Sequence, residues 1–382
     1  MRKTEEENTS NIEKAWIVGI NFSSNKAPGG GGNVGKESIN NHCDELSSLL
    51  KTLGVETIGR TVVSVKKPSP AFLTGKGQTE EIIAKAVESD SSLIVFDDDL
   101  SPSQQKNWEE LSNKRVIDRR EVIINIFAER AKTKEALLQV ELAYNKYMLP
   151  RLVGAWKHLS RQRGGHYGAK GSGETQIETD RRVLRKKITV LRKELDEIIK
   201  QRQTRRKLRD SSEVFSCAIA GYTNVGKSTL LNTLTGANVS AKNRLFDTLD
   251  PVTRKLHLPS GKEIVITDTV GFIRKLPHPL IEAFKSTLEE TLFSDLVILL
   301  LDGSSKEVKS HYQTSMEVLN EIGVDKEKIM VVFNKSDIAV AQGATPLFIK
   351  EYSDSFFISA LAKENIDKFI SEIEKRAARI KP

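Results

Sequence analysis

The chain has 382 residues, 38% of them apolar and 29% charged, with a net charge of +8. That length supports two or three domains with cores of their own, while no apolar run approaches the roughly 18 residues of a membrane span. The polar opening "MRKTEEENTSNIEKA" lacks the apolar core of a signal peptide, and Cys43, Cys217 and the six histidines show no disulfide or metal spacing, so a cytoplasmic protein without zinc chemistry is expected.

Residues 1–14 read as a disordered tail. Apolar runs then alternate with helical patterns: "AWIVGINF", a helix over 38–53, "VETIGRTVVSV", a helix over 77–89, "SLIVFDDD", a helix over 102–113, and "KRVID". The alternation predicts an α/β domain over 15–130 with a mainly parallel sheet. Asp97, after "LIVF", reads as a solvated strand end. Behind the first strand, "GGGGNVGKES" (29–38) imitates a phosphate-binding loop with Gly30, Gly35 and Lys36. Glu37, however, stands where a hydroxyl would hold magnesium, and its charge would repel phosphate. A flexible loop is expected there; the competing reading is a two-nucleotide motor binding ATP at 29–38.

Residues 131–212 read as a helical hairpin. Leu137, Val140, Tyr144 and Tyr147 are spaced 3, 4, 3, and Leu184, Ile188, Leu191, Leu195 and Ile198 are spaced 4, 3, 4, 3. Two such seams predict antiparallel packing. The intervening loop has five glycines between Gly164 and Gly173 and almost nothing apolar. Residues 151–210 hold 18 lysines and arginines against 7 acids, a net +11, so the rest of the chain sums to −3. Charge this concentrated is the footprint of a polyanion, with a solvated helix face as the alternative. His166 and Tyr167 offer flat side chains for stacking on exposed bases; a plain linker is the competing reading of the loop.

Residues 213–382 carry the chemistry. "GYTNVGKST" meets G-x-x-x-x-G-K-[ST] with Gly221, Gly226, Lys227 and Ser228. In such a loop backbone N–H groups curl around phosphates, the lysine bridges β- and γ-oxygens, and the hydroxyl holds magnesium. "KEIVITDTVGF" ends a strand at Asp268, placing a carboxylate in the magnesium shell and the Gly271 N–H at the γ-phosphate, with Thr269 and Val270 between them. "KIMVVFNKSD" ends in Asn334, Lys335, Ser336 and Asp337. The Asp337 carboxylate can accept two N–H donors from the guanine edge, which adenine lacks, and Lys335 would lie against the base. "FFISAL" then offers backbone N–H groups at Ser359, Ala360 and Leu361 for the guanine carbonyl. Four motifs in order, each at a strand end, predict a GTP-binding domain.

"GSGETQIETDRR" (171–182), a basic helix pair, "GYTNVGKSTLLNTLTG" and "LFDTLDPVTRKL" together resemble the HflX GTPases, ribosome-associated members of the TRAFAC class of translational GTPases. "FLTGKGQTEEI" and "DDDLSPSQQKNWE" resemble that family's N-terminal domain, and the likeness covers about 15–380. The resemblance implies an α/β domain, a hairpin and a P-loop GTPase domain, in a monomer that binds the large ribosomal subunit and its rRNA through 151–210. It also implies a part in splitting or rescuing ribosomes under stress. A signalling switch with a protein partner is the alternative.

For the site, the resemblance implies a nucleotide set that includes Tyr222, Thr223, Asn224 and Val225 in the phosphate loop and Phe246, Asp247, Thr248, Leu249 and Asp250 in the first switch. Ser228, Thr248 and Asp268 would hold Mg2+, with Thr253 as runner-up to Thr248, and Lys227, Thr248 and Gly271 would serve hydrolysis. Position 272 often carries a water-orienting Gln; here it is Phe272, so slow intrinsic turnover is expected. Asn224 is of a type that binds K+ in some GTPases, although an asparagine bonding its own turn explains it as well. Two departures stand out: the Gly29–Gly32 insertion, and a chain that stops soon after its last helix, without the C-terminal domain of some members.

Overall fold

The computed structural model describes residues 12–22, 36–152, 172–210, 214–237, 245–246, 250–275, 290–341 and 355–380. The tail 1–11, the first glycine loop, the loop with His166 and Tyr167, and Asp247, Thr248 and Leu249 fall outside these residues. The chain divides into two compact units, Met1–Ile126 with Tyr144–Lys186, and Phe127–Ala143 with Lys187–Pro382.

In the first unit β1 (Lys14–Phe22), β2 (Glu56–Val65), β3 (Leu93–Phe96) and β4 (Arg115–Asp118) form one sheet of order β2-β1-β3-β4, every pair parallel. Helices α1 (Lys36–Thr52), α2 (Lys76–Glu88) and α3 (Pro102–Ser112) supply the crossovers. Strands covered on both faces read as nearly unbroken apolar runs, which is why "LIVF" is wholly buried. The start of α3 is written locally: Ser101 accepts the Gln104 N–H, the Gln104 side chain returns to the Ser101 N–H, and Pro102 opens the helix.

Asp97 differs from its solvated reading. It is 2% exposed, and the Arg119 guanidinium donates to it at 2.6 Å while also pairing with Glu45. Arg119 opens α4 (Arg119–Arg130), a helix the strand–helix alternation did not announce, directly behind the neighbouring strand. A buried carboxylate needs such a partner, and this one arrives 22 residues later in the chain. At the end of β4, Asp118 is fully buried and receives Arg120 and Arg151, each at 3.1 Å, and the Tyr147 hydroxyl at 3.2 Å. Burial first, then the charges of Asp118 and Glu121, pushes the Tyr147 phenol far above its usual range.

Helix α5 (Lys134–Met148) corrects the expected seam. Val140 and Tyr147 are buried, but Leu137 and Tyr144 are 50% and 43% exposed. At about 100° per residue, the four residues spread over about 80° of the helix, and the surface boundary cuts through that arc. On α6 (Ser172–Asp210) the seam holds at Ile188, Leu191 and Leu195, all buried. Glu141 meets Lys187 across the two helices at 2.6 Å.

The second unit is built on a sheet of order β10-β9-β8-β5-β7-β6, comprising β5 (Ser216–Gly221), β6 (Val252–His257), β7 (Glu263–Asp268), β8 (Leu296–Asp302), β9 (Ile329–Asn334) and β10 (Phe356–Phe357). All neighbours are parallel except the β6–β7 pair. Helices α7 (Lys227–Thr235), α8 (Val308–Ile322), α9 (Ser336–Ala341) and α10 (Ile366–Ile380) follow in order. The C-terminal ends of β5, β7 and β9 therefore open on one edge, where loops of a parallel α/β sheet gather ligands.

Candidate nucleotide-binding site

The phosphate loop leaves β5 at Gly221 and enters α7 at Lys227. Both of its glycines are required. Gly221 has φ +149°, and a Cβ there would lie 2.2 Å from the Leu300 carbonyl oxygen of β8. Gly226 has φ +95°, and a Cβ there would lie 2.5 Å from the Asn334 amide nitrogen. Asn224 has φ 61°, and asparagine is among the residue types that tolerate this left-handed region.

Lys227 is 7% exposed, and its ammonium donates to the carbonyls of Tyr222 at 2.9 Å and Gly221 at 3.3 Å. Burial pulls its pKa down to about 8, against the opposing charge of Asp268. The Ser228 hydroxyl donates to the Asp268 carboxylate at 2.6 Å. A hydroxyl and a carboxylate side by side are hard oxygen donors of the kind Mg2+ accepts alongside phosphates and water. Thr269 turns its hydroxyl onto the Ile219 carbonyl at 2.7 Å, and Val270 is buried.

Gly271 presses on the loop: a Cβ there would stand 2.8 Å from Thr223 Cγ2 and 2.9 Å from Lys227 Nζ. The next residue splices the two segments together. Phe272 donates its N–H to the Gly221 carbonyl at 2.9 Å and accepts the Thr223 N–H at 2.8 Å. Its ring is buried, so it presents no polar side chain to a nucleotide.

At the base end, one amide joins three segments. Asn334 donates to the Val225 carbonyl at 2.8 Å and accepts the Ala360 N–H at 2.9 Å. Lys335 is held by the Asn224 carbonyl at 2.9 Å and the Asp302 carboxylate at 2.7 Å. Ser336 donates to Glu364 at 2.9 Å. Asp337 Oδ1 is buried with no hydrogen-bond partner among the described residues. A buried carboxylate oxygen left unpaired is costly, and two N–H donors of a guanine edge would satisfy it. Ser359 is buried and accepts the Ala362 N–H, Thr233 of α7 holds the Ala360 carbonyl at 2.7 Å, and Leu361 is 79% exposed.

The structure thus gathers the phosphate loop, Asp268–Gly271, Asn334–Asp337 and Ser359–Leu361 on one sheet edge. Phe246 and Asp250 flank Thr248 in the chain, but Thr248 itself is outside the described residues. Thr253 sits on β6 with its hydroxyl engaged by Thr267 at 2.9 Å. Sequence reasoning missed Asp302, Glu364 and Thr233. Only Asp302 left a signal, as the acid ending the apolar run "LVILLLD".

A glycine loop at the end of β5, with Ser228 on Asp268 and Asn334 tying Val225 to Ala360, is the arrangement of a P-loop GTPase. Three family descriptions match in succession: "GTP-binding GTPase N-terminal" over 40–128, "GTP-binding GTPase Middle Region" over 130–209, and "50S ribosome-binding GTPase" over 216–335. A GTPase HflX of Akkermansia muciniphila is 44% identical over 334 residues, covering 86% of this chain and 74% of that relative. One of Flavobacterium psychrophilum is 38% identical over 397 residues, covering 98% of this chain and 93% of that relative. Among solved structures, a GTP-binding protein from Sulfolobus solfataricus in complex with GDP is 25% identical with a TM-score of 0.47, covering 97% of this chain and 100% of that one. The chain belongs to the GTPase HflX family.

Proposed function

We propose that this GTPase acts at the large ribosomal subunit in the cytoplasm, as a monomer, and serves to split or rescue ribosomes under stress. The observation that carries the partner is the basic surface of α6, where Arg182, Lys186, Arg192 and Lys193 are exposed within a segment of net +11. Phosphate contacts favour such a face. The match to a family described as 50S ribosome-binding supports the same partner.

At the nucleotide, the N–H groups of 223–228 and the Lys227 ammonium would hold the β- and γ-phosphates, and Gly271 would offer its N–H to the γ-phosphate. Ser228, Thr248 and Asp268 would hold Mg2+, which supplies charge neutralisation across the phosphates. Asp337 would accept the guanine N–H pair, Lys335 would cover the base, and the N–H groups of 359–361 would meet its carbonyl. The buried, apolar Phe272 side chain cannot orient an attacking water, so basal turnover is slow and the partner supplies the missing order. Asn224 would bond within its own turn, with K+ binding as the alternative: equal turnover in KCl and NaCl is expected from the first, and a potassium-specific rise would assign the asparagine to K+.

The test is co-sedimentation with purified large subunits, and turnover with and without them, for the intact chain and for one with 164–173 replaced by a short Gly-Ser turn. Binding that weakens steeply with salt, and stimulation lost with the loop, is the expected result. Full stimulation without the loop would make it a linker. Salt-insensitive binding would favour the protein-partner switch.

A further inference from the structure

The hydroxyl of Thr223 sits inside the phosphate loop with nothing to bond. Thr223 is 6% exposed, and its Oγ1 is buried without a hydrogen-bond partner among the described residues. Hydroxyls close by in the site are engaged: Ser228 donates to Asp268 at 2.6 Å, and Thr269 donates to the Ile219 carbonyl at 2.7 Å. A buried hydroxyl left unpaired destabilises the fold, and a methyl group of the same shape would fill the space without that cost. Packing alone therefore favours valine at position 223. A threonine there has use for its hydroxyl only when a ligand brings the partner.

The surroundings of Thr223 say which part of the ligand that is. Its N–H donates to the Phe272 carbonyl at 2.8 Å, within a parallel bridge between Tyr222 and Phe272, so its backbone is held against the segment that follows Asp268. A Cβ on Gly271 would stand 2.8 Å from Thr223 Cγ2 and 2.9 Å from Lys227 Nζ. The threonine side chain and the lysine ammonium thus flank one point, and the methyl is the branch that faces it. A turn of about 120° around the Cα–Cβ bond, from one staggered position to the next, carries the hydroxyl to the place of the methyl. The turn breaks no hydrogen bond, because Oγ1 makes none.

We propose that Thr223 is a further catalytic residue of this GTPase: its hydroxyl turns toward Gly271 and donates to an oxygen of the γ-phosphate, beside the Lys227 ammonium. The proposal rests on the reading that Lys227 and Gly271 receive the γ-phosphate, and it adds a side-chain donor to the backbone N–H groups of the loop. The transferred phosphoryl group carries its charge on three equatorial oxygens, and a fixed donor aimed at one of them stabilises that charge through the transfer. GDP has no such oxygen. The hydroxyl therefore acts on GTP and leaves GDP alone.

The experiment uses the full chain, with thermal unfolding of the nucleotide-free protein and titrations of fluorescent GDP and a non-hydrolysable GTP analogue. Thr223→Val exchanges the hydroxyl for a methyl at nearly constant shape. It is expected to raise the unfolding midpoint by about 2 °C, because an unpaired buried group is removed. The same variant should weaken the GTP analogue about tenfold, with GDP affinity unchanged. Its kcat/KM for GTP should fall by at least that factor. Thr223→Ser keeps the hydroxyl and restores binding of the analogue. A lower midpoint in Thr223→Val would show that the hydroxyl has a structural partner and would overturn the proposal. Equal losses for GDP and the analogue, or none for either, would overturn it as well. Lys227→Met tests the underlying reading by itself. Normal binding of both nucleotides in that variant removes the phosphate-loop reading, whereas binding lost there but unchanged in Thr223→Val removes the hydroxyl's contact alone.

Discussion

Lys227 should make nucleotide affinity depend on pH in a range where most GTPase assays assume none. Without nucleotide its ammonium is buried against two carbonyls, and burial lowers its pKa from 10.5 to about 8. Bound phosphates would give it a counter-charge and return its pKa upward, so binding is strongest where the lysine already carries its proton. With a folded pKa of about 8, the protonated fraction falls from about nine-tenths at pH 7 to about one-tenth at pH 9, which is about a tenfold loss of affinity. The sign for folding is opposite. Below pH 8 both folded and unfolded chains hold the proton, and the folded state bears the full cost of the buried charge, about 3 kcal/mol at 1.36 kcal/mol per pH unit. Between about 8 and 10.5 the unfolded chain keeps a proton that the folded chain has lost, so the stability of the nucleotide-free protein rises with pH across that window. The assay is a fluorescent-GDP titration at pH 7, 8 and 9 with wild type and Lys227→Met, stopping at about pH 9 because the guanine ring itself begins to lose a proton beyond it. Wild type should lose affinity with pH, and the weak residual binding of the variant should be flat. A flat wild-type profile, or one slope shared by both proteins, refutes the reasoning.

Asp337→Asn should lower guanine-nucleotide affinity by roughly a hundredfold or more and improve binding of xanthine nucleotides, because an amide donor then faces a carbonyl instead of an N–H; competition binding with GDP and xanthosine diphosphate reads this, and unchanged guanine preference rejects the assignment. Asn334→Ala removes both bonds that join the phosphate loop to the 359–361 loop. At about 1 kcal/mol net for each, GDP and GTP should both weaken about thirtyfold, and titrations showing no loss, or loss for GTP alone, would contradict the bridging role.

Much of the site was legible because its chemistry is local. A phosphate loop is a few consecutive residues whose glycines answer to their own φ angles, as at Gly221 and Gly226, and whose lysine and serine follow at once. The strands before Asp268 and Asn334 announce themselves as apolar runs because a parallel sheet is covered on both faces. The alternation of strands and helices over 15–118 was enough to predict a parallel sheet in the first unit, and the capping residues of α3 marked its start within the sequence itself. What tertiary structure alone decided are the partners that lie far apart in the chain. Periodicity on α5 defines an arc of helix but not how much of the arc a neighbour covers, so Leu137 and Tyr144 came out facing solvent beside buried Val140 and Tyr147. Asp97 carries the same letters whether solvated or buried; the approach of Arg119 along the next strand settled which. Asp302 became a holder of Lys335 because β8 and β9 run side by side in register. Phe127 and Thr133 reached Phe246 and Asp250 across more than a hundred residues. A backbone conformation or a cap is selected by neighbours in sequence, whereas a buried charge or ring finds its partner only when packing brings distant segments together.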